Sequence, residues 1–466
     1  MSASDRSWTI APVLLCFAGA LVVALWLFDG GIGAIADRLR SRREPGPVAA
    51  AGPAFAAKPV EVAEAPEASA PGPAAPIVAA DRRKILALED LCLDGAPETC
   101  KRWAMDGFYR AIGDARRAKL GRALRVSWYG DSVIATDAVP GRLRTRLQEE
   151  LGNGGPGFVY VVPPHRFCGN EAITRASGGT WTVHSISTTQ IPDGMYGPGG
   201  STAESDDGRA TIKLVAGSAS QLDLYYLTQP RGGTATIAAD GVPVATVQTR
   251  GAAKQAGFTA ASVEGGAAKF EIASKGHVRL FGIALENPTG AVVDNLGVVS
   301  VNLKSFDANQ PEHFQAELAH RAADLVMIMI GANEAQWLGA SDRDTKDYSS
   351  RYGKLLAQVR QARPDASCLV VSPTDQAETE TQDGKLVSRP VMPVLVEAQR
   401  RAAADQGCAF YSTYNWMGGK GSAAKWFRKG WVGTDSQHLS RQGADRLADG
   451  LFGALMAGYQ KYASQQ

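Results

Sequence analysis

The chain has 466 residues, 45% hydrophobic and 21% charged, the composition of a globular protein too long for one ordinary domain. A formal charge of +2, with no Lys/Arg runs interleaved with aromatics, excludes an electrostatic footprint for nucleic acid. The six cysteines, Cys16, Cys92, Cys100, Cys168, Cys368 and Cys408, form no CxxC and no cluster with zinc spacing, which excludes those redox and metal motifs.

Trp8 to Phe28 is nearly uninterrupted apolar sequence, long enough to cross a bilayer as one transmembrane helix (8–28). An AxA-like site, Ala34-Ile35-Ala36, keeps removal as a signal peptide open. Arg6 alone precedes the span, whereas Arg38, Arg40, Arg42 and Arg43 follow it, and by the positive-inside rule alone the bulk of the chain would stay cytoplasmic. Against this stand the chemistry developed below, a linker after the span, and Cys92 and Cys100, which bracket a loop able to close a disulfide. The expectation is a single-pass inner-membrane anchor with the remainder in the periplasm or cell envelope. Residues 44–80 are rich in Pro and Ala and cannot bury a core, so they read as a semi-extended tether.

Residues 81–120 read as a helical lead-in, including Arg83 to Glu89 and Phe108 to Ile112. The apolar run Leu124 to Tyr129 predicts a buried strand, and Val139, Leu143, Leu147 and Leu151 predict the helix after it. Between them lies Tyr129-Gly130-Asp131-Ser132, a serine in a strand-to-helix turn. Such turns, at the carboxyl ends of strands, are where open α/β sheets build sites. The glycine-rich Gly152 to Gly157 follows a helix and lacks a Lys-Ser/Thr partner, so it reads as a turn with close backbone packing and not as a phosphate cradle.

From about 169 to 287 the texture changes to short alternating or aromatic-rich runs between Gly, Pro, Asp and Asn, with Asp240-Gly241 as a hairpin signal. This predicts an all-β, jelly-roll-like sandwich inserted into an α/β domain made of 81–168 and 288–466. Tyr225, Tyr226 and Trp181 offer rings that could stack on sugars or fill the sandwich core. After the insert, the runs Leu325 to Ile330, Cys368 to Val371 and Cys408 to Tyr411 alternate with helical patterns, as in a parallel sheet covered on both sides. Cys368 and Cys408 each open a strand and would meet if those strands are neighbours; the alternative is two small buried residues.

A serine hydroxyl needs a base, and the base needs an orienting group. Asp435 and His438, in Thr434 to Ser440 just before the last helix, are spaced so that the carboxylate can meet Nδ1 and leave Nε2 for Ser132. Asn333, in Gly331-Ala332-Asn333-Glu334 at the end of the buried strand, can aim an amide N–H at an oxyanion. His313 and His320 share a helix face but have no third ligand, so no metal site is expected.

In this order, GDS, GxNE and DxxH, the chain resembles the SGNH (GDSL-type) hydrolase superfamily over roughly 124–165 and 291–460. The resemblance implies a three-layer α/β/α flavodoxin-like fold and ester hydrolysis or acyl transfer without a cofactor. It makes Ser132 the nucleophile, His438 the base and Asp435 its orienter. The oxyanion hole would come from Ser132, Asn333 and Ser300, with Gly130 and Asp131 shaping the turn. Glu334 stands where the family has Asp, and Ser300 where it has glycine. The inserted sandwich and the turn Gly155 to Phe158 narrow the likeness to envelope esterases that remove O-acetyl groups from peptidoglycan. The substrate implied is an acylated glycan. The alternatives are an O-acetyltransferase on the same scaffold and a non-catalytic glycan-binding protein.

Overall fold

A computed structural model describes residues 84–339, 341–379 and 385–465. The apolar span 8–28, its orientation and the linker 44–80 lie outside the described residues. Among those described, no helix is long and apolar enough to cross a membrane.

The centre is a six-stranded sheet, ordered Leu88–Glu89, Ala409–Tyr411, Ser367–Val371, Leu325–Met329, Leu124–Gly130, Ala291–Gly297. All neighbours are parallel except the first pair. Numbered along the chain, the parallel strands run 2-1-3-4-5 across the sheet, the doubly wound order of flavodoxin-like folds. The order reverses between Leu124–Gly130 and Leu325–Met329, so the crevice for a site opens beyond the carboxyl ends of those two strands.

Alternation along the strands explains the layers. Leu325, Met327 and Met329 face the helices Asp106–Arg116, Ala138–Leu151 and Arg441–Ala463 through Phe108, Leu143 and Leu451. Val326, Ile328 and Ile330 face the other way, toward Phe314, Tyr352 and Leu395 on Pro311–Arg321, Asp342–Ala362 and Met392–Asp405. Both sets are almost completely buried, which is why the strand reads as continuous apolar sequence. Ser367–Val371 and Ala409–Tyr411 are neighbours, and Cys368 and Cys408 are joined in a disulfide. Cys92 and Cys100 form a second one, and Cys168 is free and buried.

Two antiparallel sheets form a β-sandwich between the first and second parallel strands. Leu222, Leu224 and Tyr226 point between its sheets, while Tyr225 and Leu227 on the same strand point toward the helix Pro311–Arg321. Tyr225 and Tyr226 are therefore core residues, and neither offers a face to a sugar. The Trp181 indole N–H donates to the carbonyls of Gly178 and Arg209, and its ring packs on the sandwich core. Asp240 and Gly241 both have positive φ (48° and 84°), the requirement of a tight type I′ hairpin between Thr234–Ala239 and Val242–Gln248. Gly157–Val159, ahead of the expected start of the insert at 169, is already paired with Val278–Glu286. In the glycine-rich loop before it, a Cβ at Gly154 would lie 2.7 Å from the Ala291 carbonyl, so the loop serves backbone packing.

The lead-in departs from expectation. Of 84–120, only Asp106–Arg116 is α-helical, while Leu88–Glu89 is an edge strand against Phe410 and Tyr411. Leu86 has a left-handed φ of 58°, which stops helix propagation, and the buried Leu88 covers the end of the sheet.

Candidate active site

The turn after Leu124–Gly130 leaves no freedom. A Cβ at Gly130 would come within 2.3 Å of Ile134 Cγ1 and 3.0 Å of the Met329 carbonyl, so only glycine lets the chain turn here. Asp131 caps the short helix Ser132–Ala135, accepting the Val133 N–H at 3.1 Å. Its other oxygen accepts the Ala332 N–H at 3.3 Å, which ties the serine turn to the loop after Leu325–Met329. Burial pushes the Asp131 carboxyl up to about 6, against the pull of these two N–H groups.

Ser132 Oγ lies 2.7 Å from His438 Nε2, and His438 Nδ1 lies 2.6 Å from Asp435 Oδ2. With Nδ1–H donating to the carboxylate, Nε2 is left to accept the serine proton. Asp435 Oδ1 accepts the backbone N–H groups of Gln437 and His438 at 3.0 and 2.9 Å. Its partial burial works upward, but the imidazole and these two N–H groups hold its carboxyl below the usual carboxylate range. The loop is closed by the Gly433 N–H donating to the His438 carbonyl and by a left-handed Ser436, and it ends where Ser440 caps Arg441–Ala463. His438 and Asp435 side chains remain 43% and 51% exposed.

Asn333 Nδ2 donates to the Val301 carbonyl at 2.7 Å, which fixes the amide and leaves its second N–H available. Glu334 runs the opposite way: its Oε1 accepts the Leu303 N–H at 2.7 Å. The two side chains thus clamp the Ser300–Leu303 segment to the Asn333 loop. Burial pushes the Glu334 carboxyl up to about 7, the Leu303 N–H opposing it. Ser300 has φ +63°, the backbone region that favours glycine, at the position where the family resemblance puts one.

Several supporting residues carried no sequence signal. Asn295 donates to the carbonyls of Ala135 and Gly169 and accepts the Gly297 N–H, pinning the far end of the serine helix. Gln376 donates to the Ala332 carbonyl, and Gln336 reaches Gln437 beside the histidine. Their only hint is position: Gln336 and Gln376 follow the carboxyl ends of parallel strands, and Asn295 lies near the end of one. His313 and His320 separate: His313 is buried 3.6 Å from Glu317, and His320 bonds Asp223 and stacks on Phe258. The one grouping close enough for a metal among the described residues is Cys92, Asp94 and Cys100, and its sulfurs are joined.

A serine, an imidazole and a carboxylate hydrogen-bonded in series at the switch point of a 2-1-3-4-5 sheet have the geometry that a serine hydrolase-type centre requires. Residues 272–446 match the GDSL-like lipase/acylhydrolase family model. That span begins within the sandwich strand Lys269–Lys275 and holds Ser300, Asn333, Asp435 and His438, while Ser132 lies ahead of it. Residues 272–446 thus carry a GDSL-like lipase/acylhydrolase segment, which with the likeness below supports a carboxylic ester hydrolase by class. Among solved structures it is similar to a peptidoglycan O-acetylesterase, at 25% identity and a TM-score of 0.65, over 76% of this chain and 96% of that one. It also matches a family two carbohydrate esterase from Clostridium thermocellum (10% identity, 59% of this chain, 97% of that chain, TM-score 0.26). A third match is a salicylyl-acyltransferase from a tetracycline biosynthetic pathway (13% identity, 63% and 95% covered, TM-score 0.27). No curated protein matches in sequence.

Proposed function

We propose that this protein is a membrane-anchored esterase that removes O-acetyl or similarly small acyl groups from a cell-envelope glycan, peptidoglycan in the first instance. The observation that carries the reading is the unbroken relay from Asp435 through His438 to Ser132 Oγ. The likeness to a peptidoglycan O-acetylesterase, which spans nearly the whole of that chain, supports the substrate class.

Ser132 Oγ attacks the acyl carbon as His438 Nε2 takes its proton. The oxyanion that forms meets the Ser132 and Ser300 backbone N–H groups and the free N–H of Asn333. Collapse expels the sugar oxygen, which leaves with the proton from His438. Water then repeats the sequence on the acyl-enzyme, releasing carboxylate and restoring Ser132. The relay stands half-exposed, which suits both an acyl group carried on a polymer and entry of water. The apolar span 8–28 would be the anchor. Two disulfides in one domain favour an oxidising compartment such as the periplasm, against the charge balance around the span.

The test is acetate release from O-acetylated peptidoglycan. Wild type should release it and Ser132→Ala should not. Equal rates would end the mechanism. Acetyl transfer to glycan hydroxyls as the main outcome would replace hydrolysis with transfer.

A further inference from the structure

Residues 418–433 contain Lys420, Lys425, Arg428 and Lys429 and no carboxylate, in a chain whose net charge is only +2. All four side chains are exposed, and none forms an ion pair among the described residues. The helix Ser422–Arg428 turns Ser422, Ala423, Ala424 and Trp426 inward and leaves Lys425, Phe427 and Arg428 outside. Lys425, Arg428 and Lys429, three and four positions apart, share one face. Phe427 beside them is 36% exposed. Just after the helix, the half-buried Trp431 ring has Lys429 Nζ 4.5 Å and Arg446 Cζ 3.8 Å from its centroid.

This patch stands on a firm base. The buried Trp426 ring meets Trp416 and Trp431 edge-on, at 5.6 and 5.3 Å between centroids. The start of the helix is tied to the core, where Asp375 accepts the Ala423 N–H at 2.9 Å and Ser388 accepts the Gly421 N–H at 2.6 Å. One or two cations in the last turn would complement the helix dipole, but that accounts for neither Lys420 nor the exposed Phe427. Like charges held together without a counter-charge favour an anionic partner. An aromatic side chain among them favours a partner that is apolar beneath its charge. A soluble acidic polymer would meet the cations and leave Phe427 in water, whereas an anionic bilayer accommodates both.

We propose that Lys420, Lys425, Phe427, Arg428 and Lys429 form a docking surface for an anionic phospholipid bilayer. This goes beyond the esterase reading and takes from it only the anchor at 8–28. The cations pair with lipid phosphates, and Phe427 enters the boundary between headgroups and acyl chains. A semi-extended tether sets distance and leaves orientation open, so the patch selects the face that turns to the membrane. That face adjoins the acid–base loop: the Ser440 N–H donates to the Trp431 carbonyl at 3.0 Å, and Val432 pairs with Leu439. Docking therefore holds His438 near the bilayer surface.

The experiment is amine labelling of the full chain in lipid nanodiscs, read by mass spectrometry at Lys420, Lys425 and Lys429, with the exposed Lys213 of the sandwich as reference. The discs are phosphatidylcholine alone, or phosphatidylcholine with about one third phosphatidylglycerol. In wild type the three lysines should label about tenfold more slowly in the anionic discs at unchanged Lys213, and high salt should reverse this. Each cation at an anionic surface is worth about fivefold in binding, so Lys425→Gln with Arg428→Gln should lower the docked-to-free ratio about thirtyfold. Lys420 and Lys429 then label as in neutral discs. Phe427→Ala should weaken docking by about tenfold. These changes touch only exposed side chains and should leave the melting temperature in place. Equal labelling in the two discs, or protection that survives in the double variant, would overturn the docking surface. Protection by soluble polyglutamate in detergent as strong as by anionic discs would assign the patch to an acidic polymer and overturn the bilayer. Failure of the chain to co-elute with neutral discs sinks the anchor alone, and the patch is then read with anionic discs added to the free chain. Absence of acetate release in detergent sinks the esterase reading alone.

Discussion

The two halves of the site are built by opposite means. The serine turn is part of the core: Asp131 is 1% exposed, Ile134 is fully buried, and Gly130 has no space for a methyl group. The acid–base loop lies on the surface and is held by its own short hydrogen bonds, from Asp435 to two backbone N–H groups and across Gly433 and His438. Only slender ties, such as the Ala377 N–H to the Ser436 carbonyl and Gln336 to Gln437, fasten it to the rest of the site. Burial fixes the serine, and local geometry fixes the histidine. Rate and stability should therefore separate in the loop and travel together in the turn.

The largest effect that sharpens this contrast is in the loop. Asp435→Asn should lower the turnover number by roughly ten-thousandfold, because the imidazole loses its orienter and takes the wrong tautomer. The melting temperature should hardly move, since an exposed substitution is usually within about 0.5 kcal/mol. Steady-state kinetics beside thermal unfolding would read both. A large drop in melting temperature would show that the loop contributes to the core after all.

The turn should behave in the opposite sense. In Gly130→Ala the new methyl must displace Ile134 and approach the Met329 carbonyl, a cost of about 3 kcal/mol in a close-packed core. The loss should appear in chemical denaturation as a lower midpoint, together with reduced activity, because the same displacement moves Ser132. A variant as stable as wild type would mean the turn is softer than its packing implies.

How much of this was legible follows from the range of the interactions involved. The strand Leu325–Met329 and the Asp435/His438 spacing are local patterns, and each was readable where it stands. Leu88–Glu89 was not, because its strand conformation comes from pairing with Tyr411, more than three hundred positions away. The roles of Tyr225 and Tyr226 turned on which face of one strand meets which layer, and both faces proved to be buried. Glu334 looked like a mild exchange for aspartate. Its reach to the Leu303 N–H depends on two loops that only the sheet order brings together.

That reach makes a smaller prediction, in pH. The Glu334 carboxyl rises from its ordinary 4.5 to about 7 in the folded protein. Between those values the folded state binds more protons than the unfolded one, so stability falls as pH rises through this window and levels off above it. At about 1.4 kcal/mol per unit the loss amounts to about 3 kcal/mol at most. Asp131, raised to about 6, adds to the same trend. Glu334→Gln keeps an oxygen for the Leu303 N–H and removes the titration. Its melting temperature should vary less than that of wild type between pH 5 and 8. An unchanged slope would place the pH dependence elsewhere.

The smallest effect concerns Ser300, where the two halves of the contrast meet. Its left-handed backbone is a conformation that costs a non-glycine residue about 1 kcal/mol, and its side chain is exposed. Ser300→Gly relieves that strain but adds freedom to the unfolded chain, so the net gain should be about 0.5 kcal/mol. If Ser300 contributes only its backbone N–H to the oxyanion, turnover should be kept or raised slightly, since glycine presents the same donor in the same conformation. A fall of roughly tenfold or more, the scale of a lost oxyanion contact, would assign the role to the hydroxyl instead. Serine at this position would then be a change of donor, not a tolerated substitute for glycine.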